Sequence, residues 1–156
     1  MLCVTLFGRN VEFTDTVKYL GISLSADMHF ADHCHWAAKR APRMVATFRH
    51  TFGKFAASAL KTVYLQCIRP GLDYACCVWS PLRQNLIDHL ERAQKFAVRS
   101  ILNDWVIPYE EVFLKLHWPR ILVHHAHSKL LTFYKYYHGH LSYPTTRFLH
   151  TQLAGW

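Results

Sequence analysis

The chain opens on short runs in which apolar and polar residues nearly alternate, then changes to a period of three to four. Leu2 to Phe7 alternates in part, Gly8-Arg9-Asn10 is a turn signal, and Val11-Glu12-Phe13 resumes the extended pattern. Val17 to Leu24 reads as a second extended segment. Its alternation puts Val17, Tyr19 and Gly21 on one side and Lys18, Leu20, Ile22 and Leu24 on the other. Hairpin strands of this length do not hold themselves folded, so they must pack on the helices that follow or on a sheet outside the chain.

From Asp27 onward the period is helical. Ser25 or Asp27 is placed to cap a helix over residues 28–50, and Pro42 either kinks that helix or begins a new one. Gly53 ends it. Ser58 caps the next helix, 59–69, whose apolar stripe is Leu60, Val63, Tyr64, Cys67 and Ile68. Pro70-Gly71 stops that helix in a corner, and residues 72–79 form a short buried helix up to Ser80-Pro81, with Tyr74 and Trp79 as its core anchors. A helix over 83–103 buries Leu86, Leu90, Ala93, Ala97 and Ile101, with Arg92, Lys95 and Arg99 on another face. Pro108-Tyr109-Glu110-Glu111 starts a short helix to Leu116. Pro119 sits near the start of a last helix that ends at Gly139 and buries Leu122, Ala126, Leu130, Phe133 and Tyr137. The fold class is mainly α. An N-terminal β-hairpin (residues 1–26) precedes a bundle of about five to six helices (27–140) and an irregular tail (141–156).

Composition narrows the class. A hydrophobic content of 51% argues against disorder, and a charged content of only 18% is low for a free-standing surface: either part of it is normally covered by the rest of a larger protein or by a ligand, or this is simply an apolar, His-rich domain. The net charge of +8 is uneven: residues 33–72 hold seven bases (Lys39, Arg40, Arg43, Arg49, Lys54, Lys61, Arg69) and no acid. Residues 112–156 hold five bases and no acid. Trp36, Phe48, Phe52, Phe55 and Tyr64 interleave with the first block, as on a phosphate-facing surface; two solvated helix faces are the plain alternative.

Catalytic chemistry is not spelled out. Two-metal phosphoryl chemistry needs converging carboxylates, and the ten acids include no Asp-Asp pair. Glu110-Glu111 suits a helix N-terminus. The twelve histidines, His29, His33 and His35 near Cys34 and the His124, His125, His127 group among them, lack zinc-knuckle spacing and read as core or solvated side chains. No Gly-x-Ser-x-Gly elbow or phosphate-cradling glycine loop is present. Five cysteines without a Cys-x-x-Cys pair read as reduced, mostly buried thiols. No signal peptide or membrane-length apolar run is seen, so an intracellular protein of cytoplasm or nucleus, without a membrane partner, is expected.

Six blocks, in order, resemble the C-terminal part of reverse transcriptases of non-LTR (LINE-type, jockey-like) retrotransposons. They are Val17-Lys18-Tyr19-Leu20-Gly21-Ile22-x-Leu24; His29-Phe30-x3-Cys34 to Arg43; Ala59-Leu60-x3-Tyr64-x4-Arg69-Pro70; Leu90-Glu91-x-Ala93-Gln94-Lys95-x3-Arg99-x-Ile101; Leu116-x-Trp118-Pro119; and Phe133-Tyr134-Lys135-x3-Gly139. Pro42 and Val123-His124-His125 depart from the family pattern. The resemblance implies a primer-grip hairpin followed by a helical thumb, without the catalytic palm. The chain alone is then not an enzyme, and it needs no cofactor, since magnesium belongs to the parent polymerase. Its implied partners are the RNA template–DNA primer duplex and the palm and fingers of the same polymerase. Tyr19, Leu20 and Gly21 would abut the primer end, and Lys39, Arg40, Arg43, Arg49 and Lys54 would touch backbone phosphates. The second reading is an inert transposon remnant or helical interaction module that binds no nucleic acid.

Overall fold

In the computed structural model, residues 4–11, 13–52, 57–116 and 118–141 are described. Two β-hairpins precede a mainly helical body. In the first, β1 (Val4–Leu6) pairs antiparallel with β2 (Arg9–Val11); in the second, β3 (Thr16–Tyr19) pairs with β4 (Ile22–Ser25). The helices are α1 (Ala31–Phe52), α2 (Ala57–Val63), a π-helical segment (Tyr64–Ile68), α3 (Arg69–Asp73), α4 (Cys76–Trp79), α5 (Gln84–Leu102), α6 (Tyr109–Leu116) and α7 (Ile121–Tyr137). The expected class, an N-terminal hairpin followed by a helical bundle, is what the chain adopts. The expected irregular tail from Ser142, Gly53 as a helix stop and Lys54 as a site residue lie outside the described residues.

Val17 to Leu24 is not one extended segment. The chain reverses at Leu20-Gly21, where both residues take positive φ (46° and 84°), the requirement of a two-residue type I′ turn. Phe7-Gly8 repeats the device in the first hairpin, at 49° and 76°. The reversal pairs Val17 with Leu24 and Tyr19 with Ile22, so these four share one face and Lys18 and Ser23 the other. A leucine in the left-handed region is uncommon, which is why the alternation runs on through it unmarked. Ile22 is buried in the core, and the Ser23 N–H donates to Nδ1 of buried His33 on α1 (3.4 Å). The hairpin therefore packs on the helices.

α1 runs unbroken through Pro42. It starts at Ala31, four residues beyond Asp27, whose carboxylate instead accepts from the Ser25 hydroxyl and the His29 N–H (3.1 Å) in the preceding turn. α2 begins at Ala57, so Ser58 lies inside the helix, where its carbonyl accepts from the Thr62 hydroxyl (3.2 Å). The inner face of α1 is built of Ala37, Ala38, Ala41 and Val45, all buried, and α5 answers with Ala93, Ala97 and Val98. Small residues on both sides let the two long helices lie close. α5 and α6 follow their expected bounds within a residue, and Asn103 ends α5 in the left-handed conformation (φ 52°).

Pro70-Gly71 does not stop its helix. The π-helical turn widens the backbone just before it, with the Arg69 N–H reaching back five residues to the Tyr64 carbonyl. Pro70 then enters at the first turn of α3, where a missing N–H costs little. The corner comes three residues later, at Tyr74-Ala75, with Ala75 left-handed (φ 51°). The short helix expected over 72–79 is accordingly cut to Cys76–Trp79.

This corner closes on a buried polar knot. Arg69 Nε lies 3.2 Å from Asp73 Oδ2, and Asp73 Oδ1 lies 3.3 Å from His124 Nδ1 and 3.5 Å from His125 Nε2. His125 is 1% exposed; its Nε2–H donates to the Leu72 carbonyl (3.1 Å), so in the neutral ring Nδ1 accepts from Ser80 Oγ (3.2 Å). Trp79 packs edge-on to His125 (5.4 Å) and to His33 (4.7 Å), joining the knot to α1. Burial alone would raise the Asp73 pKa; the contact with His125 and the charges of His124 and Arg69 outweigh it and hold the carboxyl below its ordinary value.

α7 docks on α3, α4 and α5 through Ile121 and His125. The stripe expected to be buried, Leu122, Ala126, Leu130, Phe133 and Tyr137, instead faces out. Among the described residues Cys34, Cys67, Cys76 and Cys77 are free thiols; Cys34 and Cys76 are buried, whereas Cys67 and Cys77 are exposed, contrary to the mostly buried set expected. Burial pushes the Cys34 thiol up to about 11. No described helix is long and apolar enough to cross a membrane.

Two outcomes follow for stability. Asp73→Ala leaves Arg69 buried without its carboxylate and is expected to lower the unfolding free energy by about 3 kcal/mol in urea denaturation. The depressed Asp73 pKa means its contribution is full above the ordinary carboxyl value of 3.8 and lost as pH falls through the folded pKa, an acid limb the variant should lack. Burial, then the charge of Lys18, depresses His33 below its ordinary value of 6.5. Its Nδ1 must stay unprotonated to accept from Ser23, so stability should be full above pH 6.5 and decline below it. The decline should reach about 1.4 kcal/mol per pH unit and flatten in His33→Gln.

Candidate nucleic-acid interface

The outward side of α1 repeats at helical spacing. Trp36, Lys39, Arg40 and Arg43 are all exposed and stand at i, i+3, i+4 and i+7. Arg40 lies over the Trp36 ring (5.2 Å to the centroid), and Lys18 from β3 approaches the same ring at 5.8 Å. Buried His33 stacks on Trp36 (5.7 Å, 28° between planes), which fixes the indole from within. An aromatic face held between two cations is thus built where the second hairpin meets α1.

The other half of the surface is a groove between α1 and α5 of about 360 Å³. Lys39, Pro42 and Arg43 line one wall and His89, Arg92 and Phe96 the other, with Ala38 and Ala93 at its floor; no acid lines it. The alanine packing of α1 on α5 brings these walls together, so tertiary contact joins bases that lie about fifty residues apart in sequence. His89 reports the local field. Its pKa is lowered by burial first and then by the charges of His35, Arg92 and Lys39, and its buried Nε2 has no hydrogen-bond partner. His35 stands edge-on to it at 4.9 Å. A phosphate in the groove would be met by three permanent cations, Lys39, Arg43 and Arg92.

The expected contact residues therefore divide. Lys39 and Arg43 lie in the groove, and Arg40 on the Trp36 face. Arg49 is set apart: it is half-buried, and its guanidinium donates to Asn103 Oδ1 (3.2 Å) at the end of α5. Tyr19 and Leu20 are exposed at the hairpin tip. Tyr74 is half-exposed rather than a core anchor, and its hydroxyl donates to the Leu20 carbonyl (3.1 Å). A Cβ on Gly21 would come within 3.9 Å of the Tyr74 ring, and the positive φ there already favours glycine. Trp79 is fully buried as expected, with its indole N–H on the Tyr74 carbonyl (2.6 Å).

Lys18, His89 and Arg92 belong to the surface but were not among the expected contacts. Arg92 and His89 share a face of α5 three residues apart, and the alanines at 93 and 97 are the sequence signal that another helix approaches there.

Ser80, His125 and Asp73 line up in a way that invites comparison with a hydrolytic triad. The imidazole Nε2 is nearer the Leu72 carbonyl (3.1 Å) than Asp73 Oδ1 (3.5 Å), the carboxylate also pairs with Arg69, and both Ser80 and His125 are buried, so the three read as a structural tie. Among the described residues no three His, Cys, Asp or Glu side chains come together as a metal site. No family model, curated protein or solved structure matches this chain.

Removing the Tyr74 hydroxyl isolates the tie between corner and hairpin tip. Tyr74→Phe is expected to cost about 1 kcal/mol and to speed amide exchange in the Thr16–Ser25 hairpin while leaving α5 unchanged, read by hydrogen exchange.

Proposed function

We propose that this chain holds a nucleic-acid duplex by its backbone, as the non-catalytic template–primer-binding region of a non-LTR retrotransposon RNA-directed DNA polymerase. The observation that carries the reading is the acid-free groove of Lys39, Arg43, His89 and Arg92 beside the cation-flanked Trp36. Permanent cations on rigid helices suit phosphates at fixed spacing and carry no base code, so binding is sequence-independent. The order of the six sequence blocks supplies the family. Tyr19, Leu20 and Gly21 then form a tip braced by Tyr74 next to the duplex end, while Arg49 acts on the fold rather than on phosphate. Catalytic carboxylates and magnesium belong to the palm of the parent polymerase, and the intracellular site, cytoplasm or nucleus, follows from the substrate.

The test is binding of an RNA–DNA hybrid across a salt series. Affinity should fall steeply with salt, and Lys39→Gln/Arg43→Gln/Arg92→Gln should reduce the log–log slope by about 2 to 3. The His89 pKa, followed by NMR, should rise on binding as the anion offsets the neighbouring charges, so binding should tighten as pH falls. A folded chain that binds no hybrid at low salt defeats the reading and leaves the inert remnant or interaction module. Robust primer extension by the chain alone would contradict the non-catalytic assignment.

A further inference from the structure

α7 has two faces, and only one is used. Ile121 and His125 are buried against α3, α4 and α5. On the opposite side Val123, Ala126, Leu130, Phe133 and Tyr137 follow one another at spacings of three, four, three and four residues, the a/d seam of a coiled coil. All five are exposed: Val123 44%, Leu130 66%, Phe133 58% and Tyr137 61%, with Ala126 open as well. Phe133 and Tyr137 stack at 6.4 Å, which gives the seam a preformed aromatic end. No charged residue stands on it. α7 holds no acid, and of its two lysines Lys129 is turned toward the body, its Nζ 3.5 Å from the Ser80 carbonyl.

We propose that α7 pairs antiparallel with α7 of a second copy of this chain, forming a two-fold dimer through the Val123–Tyr137 seam. The spacing itself asks for a helix as partner, since knobs at this period fill holes only on another helix. The seam is also self-complementary. Antiparallel pairing sets small Ala126 against Tyr137 of the partner subunit and Leu130 against Phe133 of the partner subunit, so in these central layers large faces small and apolar faces apolar, with Val123 lying outside them. With Leu122 and Tyr134 at its edges, the seam offers roughly 600–700 Å² per copy, close to the roughly 800 Å² per partner of a standard interface. Burying it removes a long run of exposed apolar side chains from the described surface of α7. The inference is independent of nucleic-acid binding, because the groove of Lys39 and Arg92 lies on α1 and α5.

Sedimentation velocity of the purified full chain, from low to high micromolar concentration, decides it. The expected result is a species of twice the 18.3 kDa chain mass. Leu130→Glu, at the centre of the seam, should weaken association by about tenfold or more. Leu131→Glu, exposed but turned away from the seam, should leave it within about threefold. Both side chains are solvent-exposed in the single chain, so both variants should keep the parent circular dichroism. Phe133→Lys provides a second seam variant with the same expected loss. A folded parent chain that stays monomeric throughout overturns the proposal. So does association that responds equally to Leu130→Glu and Leu131→Glu, which would mark undirected apolar sticking or a face meant for a different partner.

Discussion

The buried ion pair of Arg69 and Asp73 is the constraint on which the helical body turns. A guanidinium and a carboxylate withdrawn from water are tolerable only when paired and further hydrogen-bonded. Here the pair sits where the widened π-turn feeds α3, and its carboxylate faces His124 and His125 from a helix fifty residues later. His125 ties the Leu72 carbonyl to the Ser80 hydroxyl, and Trp79 wedges between that ring and His33 on α1. Through this chain of contacts α3, α4, α7 and α1 share one geometry, and His33 passes it on to the second hairpin. Apolar burial supplies most of the stability of such a body, but it is non-directional. The polar knot selects which face of α7 turns inward.

That selection reverses what helical periodicity suggests. Read alone, Leu122, Ala126, Leu130, Phe133 and Tyr137 make the better apolar stripe, and Ile121 with His125 a poor one. The chain buries the poor stripe because His125 there meets two partners and Ile121 fills the core. The displaced stripe is left outward, which accounts for a surface poor in charge, with 18% charged residues overall.

The basic surface follows a related logic. Lys39, Arg40 and Arg43 are legible as a block because helical spacing alone aligns them. Arg49 carries the same sequence signal but is drawn to Asn103 at the helix end, an encounter that no local pattern announces. His89 and Arg92 enter opposite Lys39 and Arg43 only because alanine faces allow α1 and α5 to lie close. The turns escape the local pattern for a different reason. Leu20 and Ala75 both take left-handed backbone conformations that their residue types disfavour, and Pro70-Gly71, a strong stop signal, is absorbed by the π-turn before it.

Local pattern is enough for the class: extended segments first, then long amphipathic helices. It also determined the bounds of α5 and α6 within a residue and the concentration of positive charge on α1. These are local properties, set by period, capping and side-chain charge over one or two turns. Where the chain reverses, which face of α7 is covered, and which bases share a groove emerge only once the helices and hairpins pack together. Each of those depends on contacts between distant residues: Tyr74 with Leu20, His125 with Leu72 and Ser80, and the alanine faces of α1 and α5. Such contacts between distant residues outweigh the local preferences they override, so the contact, not the periodicity, sets the outcome.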